Sequence, residues 1–404
     1  MTCKPCLSRL PLAISADASL FKPLVAITLL AITYFVSAKL GLVLALVHPS
    51  ATAVWPPTGI ALAAIIVFGS RLWPGIFLGA FFANITTAGS VWISLGIALG
   101  NTHEAALGAY LVNRFAGGQR AFDVPQDVLK FAALAGVAST AVSATIGATS
   151  LYLGGLVNAS LYWDVWITWW LGDMAGALVL APLLILWDWH SRAFLRDQDL
   201  YDRCLALIPL AGIGYLGFAA FPADSLRTFS IAFLSIPFLL WTAVRFGRRE
   251  SAAAVFLLTV IAIWGTVNGR GPFVRVKPNE SLLLVQEFAG MIAVMIMMLS
   301  AAIWSRKQAE EALRETDRRK DEFLATLGHE LRNPLGVIST AIQVRMKLAP
   351  DPELQDLRDT IELEVKQLTR LLDDLLDVSR IAGGVIRLRK EGCDLTTMVR
   401  EVVK

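Results

Sequence analysis

The sequence has little charge and few cysteines for a chain of 404 residues. Charged residues make up 17% and apolar residues 55%, which excludes a disordered chain and argues against an ordinary soluble enzyme, whose surface needs more charge. Four cysteines are too few and too scattered for a disulfide framework, and Cys3 with Cys6 forms one C-x-x-C without a second pair. We therefore expect no metal site. The net charge of +3 is too small to indicate nucleic-acid binding.

The charge that is present is concentrated at the C-terminal end. Residues 1–305 hold 18 Lys/Arg and 14 Asp/Glu, about a tenth of that stretch. Residues 306–404 hold 18 and 19, more than a third of theirs. This break predicts two environments, lipid for the first three quarters of the chain and water for the rest.

The lipid-facing part contains ten apolar runs near the length of a spanning helix, which is about 20 residues. We expect eight to ten spans, because the second, third and seventh runs are short. The runs are 24–46, 53–69, 72–89, 91–112, 129–153, 162–187, 205–221, 228–244, 251–268 and 282–304.

The loop charges indicate the orientation of these spans. With the N-terminus inside, the inner loops hold thirteen Lys/Arg and the outer loops four, of which three lie in the loop at 269–280. An excess of Lys/Arg marks cytoplasmic loops, so we expect both ends of the chain inside. The first apolar run is too long for a cleavable signal peptide, and we expect a multi-pass membrane protein.

Ionisable residues inside apolar runs are expensive and mark a function by default. Here they are Lys39, His103, Glu104, Asp173 and Glu287. Two interpretations stay open: a buried ligand site, or hydrogen bonding between packed helices. We take His103, Glu104 and Asp173 as candidate sensor residues.

Three patches of this membrane part resemble the MASE type of bacterial integral-membrane sensor domain over about residues 20–305. The resemblance implies a sensory input module and names no signal. The patches are Val54-Trp55-Pro56-Pro57-Thr58-Gly59 with Trp73-Pro74-Gly75-Ile76-Phe77-Leu78-Gly79, then Gly100-Asn101-Thr102-His103-Glu104-Ala105, then Gly172-Asp173-Met174-Ala175-Gly176 with Ala181-Pro182-Leu183-Leu184.

The charged part predicts a helical hairpin. Two apolar series recur at steps of three and four, separated by Pro350 and Pro352, which break the helix. One hairpin cannot bury both stripes, whereas two copies in a homodimer make a four-helix bundle. The series are Leu324, Leu327, Leu331, Leu335, Ile338 and Ile342, then Leu354, Leu357, Ile361, Val365, Leu368, Leu372 and Leu375.

His329 falls about 160° around the helix from Leu331, the centre of the first stripe, and therefore on the solvent face. Asn333 shares that face, Glu330 is adjacent, and we expect Pro334 to kink the helix just beyond. Geometry alone leaves a reactive histidine and an ordinary surface histidine open. The stretch begins like the zinc motif H-E-x-x-H, but Asn333 replaces the second histidine.

The string from Phe323 to Leu335 resembles the H-box of sensor histidine kinases, and the match extends over about 315–385. The resemblance implies that His329 is the phospho-acceptor and Glu330 the adjacent general base. It also implies that Asn333 positions the phosphoryl group or the attacking water. A neutral imidazole is a competent nucleophile, and a neighbouring carboxylate can hold its other ring proton. The family further implies ATP and Mg²⁺, a homodimer and a response-regulator receiver domain as partner.

The nucleotide-binding motifs of that family do not follow the hairpin, and we expect residues 383–404 to begin a truncated ATP-binding domain. The prediction is thus an all-α sensor histidine kinase of a two-component system, multi-pass in the bacterial inner membrane and with a cytoplasmic C-terminal hairpin. The alternatives are a kinase-dead phosphotransfer or phosphatase sensor and a transporter with an accessory hairpin. The predicted segments are an N-terminal tail at 1–23, the sensor at 24–305, a signalling helix at 306–322, the phospho-acceptor hairpin at 323–382, and the start of the ATP-binding domain at 383–404.

Overall fold

The computed structural model describes residues 16–43, 54–187, 197–222, 226–348 and 355–382. The Cys3–Cys6 pair, the proline-containing turn between the two heptad series and the expected start of an ATP-binding domain at 383–404 lie outside these ranges. Two compact units divide the chain at Arg306 and Lys307. We call them the membrane unit and the C-terminal unit.

The described residues form helices and connecting turns, with an isolated β-bridge between Pro222 and Arg270. π-helical turns at Ala132–Ala138 and Leu216–Ala220 follow α5 and α8. The helices are α1 Ala16–Val43, α2 Pro56–Phe68, α3 Trp73–Ala88, α4 Val91–Phe115, α5 Pro125–Phe131, α6 Ser139–Leu153, α7 Tyr162–Ile185, α8 Asp197–Tyr215, α9 Leu226–Arg245, α10 Arg248–Val267, α11 Pro278–Leu348 and α12 Gln355–Ala382.

Each of the ten predicted apolar runs coincides with helix, α5 and α6 together forming the fifth. The all-α prediction is therefore confirmed for the described residues. Five helical segments among them are long and apolar enough to cross a membrane: Pro23–Leu42, Pro125–Leu153, Tyr162–Ile185, Arg248–Val267 and Pro278–Ala341. Shorter apolar helices occupy Pro56–Phe68, Leu207–Ala220 and Ser230–Arg245.

Glycines let the helices of the membrane unit pack closely. A Cβ on Gly75 would lie 2.6 Å from the Ile27 carbonyl oxygen, and one on Gly79 would lie 2.7 Å from the Tyr34 Cβ. The pair of glycines on α3 therefore fits against α1, as expected of small residues spaced four apart in membrane helices. The outward surface carries large apolar side chains such as Trp92 and Leu153, which suits contact with lipid.

The helix α11 begins in the membrane unit and runs for 71 residues, from Pro278 to Leu348. Its sequence is apolar up to Trp304 and strongly charged from Arg306. In the C-terminal unit, α12 packs against the last part of α11 and buries Val365 and Leu372. Pro334 lies inside α11, and the helix continues past it to Leu348.

Candidate functional site

The predicted phospho-acceptor residues lie on the solvent-exposed surface of α11. His329, Glu330 and Asn333 are all exposed, and Gly328 beside them is buried. His329 thus occupies an exposed position, like most of the described residues in this part of α11. An exposed imidazole next to a carboxylate is open to a phosphate donor and to a receiving protein.

The apolar stripe of α11 is only partly covered by α12. Leu324, Leu327 and Leu335 are half-buried, whereas Leu331 and Ile338 remain 48% and 45% exposed. A single hairpin therefore leaves part of its apolar stripe open to solvent.

A cross-helix ion pair lies close to the histidine. Arg332 Nη2 donates to Asp373 Oδ1 at 2.5 Å, joining α11 to α12, and both side chains are about half exposed. Beside this pair is a groove of about 430 Å³ between the two helices. Polar and apolar residues line it, among them Ser339, Thr369 and Val365.

The stretch of α11 before the histidine carries ion pairs along its surface. Arg318 Nε donates to Glu322 at 2.9 Å, and Arg319 Nε donates to Glu315 at 3.0 Å, each spanning one helical turn. The hydrogen bond that Arg318 donates to Glu322 and the negative charges of Glu322 and Glu315 raise the pKa of Arg318 above its ordinary value. These pairs support an exposed helix by i,i+4 interactions.

A second constellation lies inside the membrane unit, where a chain of hydrogen bonds joins three helices. Asn101 Nδ2 on α4 donates to the Tyr34 hydroxyl on α1 at 2.9 Å. Ser143 Oγ on α6 donates to Asn101 Oδ1 at 2.8 Å. All three residues are buried, so their polar groups form hydrogen bonds with each other in place of water.

The two predicted membrane carboxyls meet beside this chain. Glu104 on α4 is 2% exposed and Asp173 on α7 is 1% exposed. Each has the other carboxyl, Ser143 and Thr58 as neighbours. Neither Asp173 oxygen nor Glu104 Oε1 has a hydrogen-bond partner within bonding geometry.

The other predicted ionisable residues of the membrane unit lie elsewhere. His103 is exposed, and its Nδ1 lies 2.8 Å from the Leu99 carbonyl oxygen on the preceding helical turn. Lys39 Nζ donates to Thr87 Oγ1 at 2.7 Å. Glu287 is exposed. The structure therefore brings Glu104 and Asp173 together and separates His103 from them.

Sequence reasoning missed four polar members of this cluster: Tyr34, Thr58, Asn101 and Ser143. Thr58 and Asn101 do stand inside the patches quoted above, so their patches carried a signal. Tyr34 and Ser143 sit in ordinary apolar or small-residue surroundings, and nothing in their local sequence distinguishes them.

The start of α2 forms one wall of the cluster. The Trp55 backbone N–H donates to the Gly172 carbonyl at 3.0 Å, next to Asp173. A Cβ on Gly176 would collide with the Trp55 carbonyl oxygen, and one on Gly59 would lie 2.8 Å from the Leu180 Cβ. The Trp-Pro-Pro-Thr-Gly and Gly-Asp-Met-Ala-Gly patches thus pack directly on each other.

Comparison with known proteins yields two family matches. The MASE1 family matches residues 27–307, and the His Kinase A (phospho-acceptor) domain matches residues 319–384. No solved structure matches the chain.

Several curated proteins are similar to part of the chain. The sensory/regulatory protein RpfC of Xanthomonas campestris is 31% identical over 131 residues, which is 32% of this chain and 18% of RpfC. The histidine-protein kinase BarA of Escherichia coli K12 is 33% identical over 99 residues, 24% of this chain and 10% of BarA. The bacteriophytochrome of Pseudomonas aeruginosa is 33% identical over 90 residues, which is 22% of this chain and 12% of the bacteriophytochrome.

The chain thus spans less than a fifth of the length of each of these relatives. The MASE1 match covers more than half of the chain itself, and its apolar helices fit a multi-pass inner-membrane protein. The chain belongs to the MASE1 family of integral membrane sensor domains and carries a His Kinase A phospho-acceptor domain after it.

Proposed function

We propose that this protein is the sensor histidine kinase of a two-component system and that His329 accepts the phosphoryl group. The observation that carries the proposal is the exposure of His329 beside Glu330 on α11, within the stretch that matches the phospho-acceptor domain. In a transporter this arrangement would have no function, and the comparisons do not favour a transporter.

The proposed chemistry is two phosphoryl transfers. A ring nitrogen of His329 attacks the γ-phosphorus of ATP, the N–P bond forms, and the bond to the β-γ bridging oxygen breaks to release ADP. Glu330 holds the proton on the other ring nitrogen, which keeps the attacking nitrogen nucleophilic. An aspartate of a response regulator then attacks the phosphorus, and the N–P bond breaks.

ATP and Mg²⁺ act as co-substrates in this proposal, held by an ATP-binding domain. Phosphoryl transfer depends mainly on positioning and on neutralising the charge of the phosphates, which that domain and the metal supply. The part of the C-terminal unit that is described contributes the acceptor, its base and Asn333, which positions the phosphoryl group or a hydrolytic water.

The proposed active form is a homodimer. The exposed part of the α11 stripe, at Leu331 and Ile338, needs an apolar partner. A second hairpin supplies one by completing a four-helix bundle, the arrangement in which paired hairpins bury their a and d positions. The receiver domain of the regulator would dock near His329 and the groove beside Arg332.

The proposed input is the membrane unit. The helix α11 begins there and also carries His329. A signal shifts the balance between two states only if it binds one of them more tightly. Glu104 and Asp173 are our candidates for the residues that contact the signal. His103 is the weaker candidate, since it lies on another face of α4.

The test uses the full chain in lipid nanodiscs, mixed with the separately expressed ATP-binding domain of a sensor histidine kinase and radiolabelled ATP. We expect acid-labile label on the wild-type chain and none on the His329→Gln variant. Glu330→Gln should be labelled at least about 100-fold more slowly, which is the usual size of a general-base contribution.

The matched control is His190→Gln, which removes another of the four histidines and should label like the wild type. Absence of label on the wild-type chain, with an ATP-binding domain that phosphorylates its own hairpin, would overturn the proposal. Label that survives in His329→Gln would assign the acceptor to another residue.

A further inference from the structure

The buried carboxyl pair of the membrane unit has no positive side chain to balance it. No ion pair among the described residues includes Glu104 or Asp173. In the membrane unit, Lys39 donates to Thr87 and Arg248 pairs with Asp123. Two carboxylates removed from water without a counter-charge carry a large desolvation cost and repel each other. The described side chains provide no positive charge, so either protons or a cation must neutralise the pair.

Two hydroxyl groups, those of Ser143 and Thr58, face both carboxyls, and the indole of Trp169 is a further neighbour of Asp173. Ser143 is a neighbour of both carboxyls, but it donates its hydroxyl hydrogen to Asn101 Oδ1, so its lone pairs are left for the cluster. Thr58 Oγ1 is buried and has no hydrogen-bond partner, like both Asp173 oxygens and Glu104 Oε1. The unpartnered buried atoms of Thr58, Glu104 and Asp173 are thus all oxygens.

This donor set selects the class of ligand. Carboxylate and hydroxyl oxygens without sulfur or imidazole nitrogen suit hard cations, whereas zinc and copper favour Cys and His. Among the described residues, no group of three or more His, Cys, Asp or Glu side chains is placed to hold a metal. The exposed His103 faces away from the pair, although it is next to Glu104 in sequence.

The packing around the pair favours a bare ion over an organic ligand. The first turn of α2, which carries Thr58, is bonded to α7 through the Trp55 N–H and the Gly172 carbonyl. Neither Gly59 nor Gly176 leaves room for even a methyl group between the two helices. A larger solute would have to separate α2 from α7.

We propose that one hard metal cation, of the alkali or alkaline-earth class, binds between Glu104 and Asp173, with Thr58 and Ser143 as further oxygen ligands. The ion joins α2, α4, α6 and α7, so its binding holds four helices in one arrangement. This binding site goes beyond the proposed function, because cation binding is measured without any phosphorylation.

Protons compete with the ion for the same oxygens. The titratable groups that face the cluster are Glu104 from α4, Asp173 from α7 and Tyr34 from α1. Both carboxyls must be deprotonated to coordinate a metal, so binding should weaken as the pH falls.

The experiment measures binding to the full chain, washed with a chelator and reconstituted in nanodiscs of zwitterionic lipid. The probes are radioactive sodium and calcium ions, with unlabelled magnesium as competitor and N-methylglucamine chloride to hold the ionic strength constant. Thermal unfolding in each salt is the second readout, because an ion that binds only the folded state raises the unfolding temperature.

We expect saturable binding of one ion per chain, and loss of that binding in Glu104→Gln and Asp173→Asn. Thr58→Val keeps the shape and every charge but removes one ligand oxygen, and it should weaken binding at least about tenfold. Thr58→Ser restores the oxygen and should restore most of the affinity. Glu287→Gln is the control, because Glu287 is an exposed carboxyl of the same unit, and it should bind like the wild type.

Two results would overturn the proposal. One is that the folded wild-type chain, between pH 6 and 9, binds neither sodium nor calcium saturably and shows no rise of its unfolding temperature in magnesium. In that case an unfolding temperature that depends on pH alone would show that a shared proton neutralises the pair. The other is binding that is equal in wild type, Asp173→Asn and Thr58→Val, which would place the ion elsewhere.

Discussion

The guanidinium of Arg248 lies 4.2 Å from the ring centroid of Trp304, near the end of the apolar part of α11. The same guanidinium donates to the Phe122 carbonyl at 2.9 Å and pairs with Asp123 through Nη1. One side chain at the start of α10 therefore connects the loop after α4 with the helix that leads to the phospho-acceptor. An Arg fork suits this task, because its plane stacks on an aromatic face while its edges donate.

We predict that Arg248→Gln lowers the free energy of unfolding of the membrane unit by about 1–3 kcal/mol, because it removes a largely buried charge-assisted hydrogen bond and the cation–π contact. Thermal unfolding of the purified chain in detergent is the measurement. Arg114→Gln is the control: Arg114 is exposed and stacks on the adjacent Phe115, so we expect a change within about 0.5 kcal/mol. Equal effects of the two variants would show that the contacts of Arg248 add nothing to stability.

The Arg332–Asp373 pair of the C-terminal unit should stabilise the hairpin only weakly. Both side chains are about half exposed, so water and salt screen the pair despite its short distance of 2.5 Å. A double-mutant cycle with Arg332→Gln and Asp373→Asn should give a coupling energy of about 0.2–1 kcal/mol, falling as salt is added. Denaturant unfolding of the C-terminal unit gives the free energy of unfolding of the wild type, the two single variants and the double variant. A coupling above this range that persists at high salt would contradict the screening argument.

The exposed apolar stripe gives a prediction about association. Leu331→Glu places a charge where we expect the second hairpin to pack, and burying an unpaired charge is costly. The dimer dissociation constant should rise at least about tenfold, the equivalent of about 1.4 kcal/mol. Light scattering of the detergent-solubilised chain over a concentration series measures it. Thr326→Glu, on an exposed position of the same helix, should leave association unchanged.

Much of the fold is readable from the sequence, because an apolar run of spanning length has few alternatives to a helix in lipid. The heptad steps also predict a solvent-facing His329, and its position is exposed in the structure. Helix rotation separates His103 from Glu104: neighbours on a helix point about 100° apart. Sequence proximity within one patch grouped these two residues as sensor candidates, whereas the structure places only Glu104 in the buried cluster.

The rest of the membrane cluster depends on contacts between distant segments. The hydrogen bonds from Asn101 to Tyr34 and from Ser143 to Asn101 join residues 67 and 42 positions apart. Local patterns do not encode which faces of α1, α4 and α6 meet. Steric fit between glycines and the neighbouring helix decides that, and it becomes visible only when the helices are packed.

The approach of Gly176 to Trp55 gives the sharpest test of this packing. Alanine is the better helix former by about 1 kcal/mol, so Gly176→Ala would stabilise α7 if the site were open. Instead its Cβ would collide with the Trp55 carbonyl oxygen, which is backbone and has no rotamer to move away. Overpacking of this kind costs about 1–3 kcal/mol, so we expect a net loss of stability and of cation binding at Asp173.

Gly212 provides the matched control for that substitution, since it also lies inside a helix of the membrane unit. A Cβ there meets nothing within 4 Å, so Gly212→Ala should be neutral or slightly stabilising through its effect on helix propensity. Thermal unfolding and ion binding of both variants, measured side by side, separate the collision from a general effect of losing a glycine. If Gly176→Ala is as stable as Gly212→Ala, then α2 and α7 do not pack as closely as the structure has them, and the compact wall around the carboxyl pair is absent.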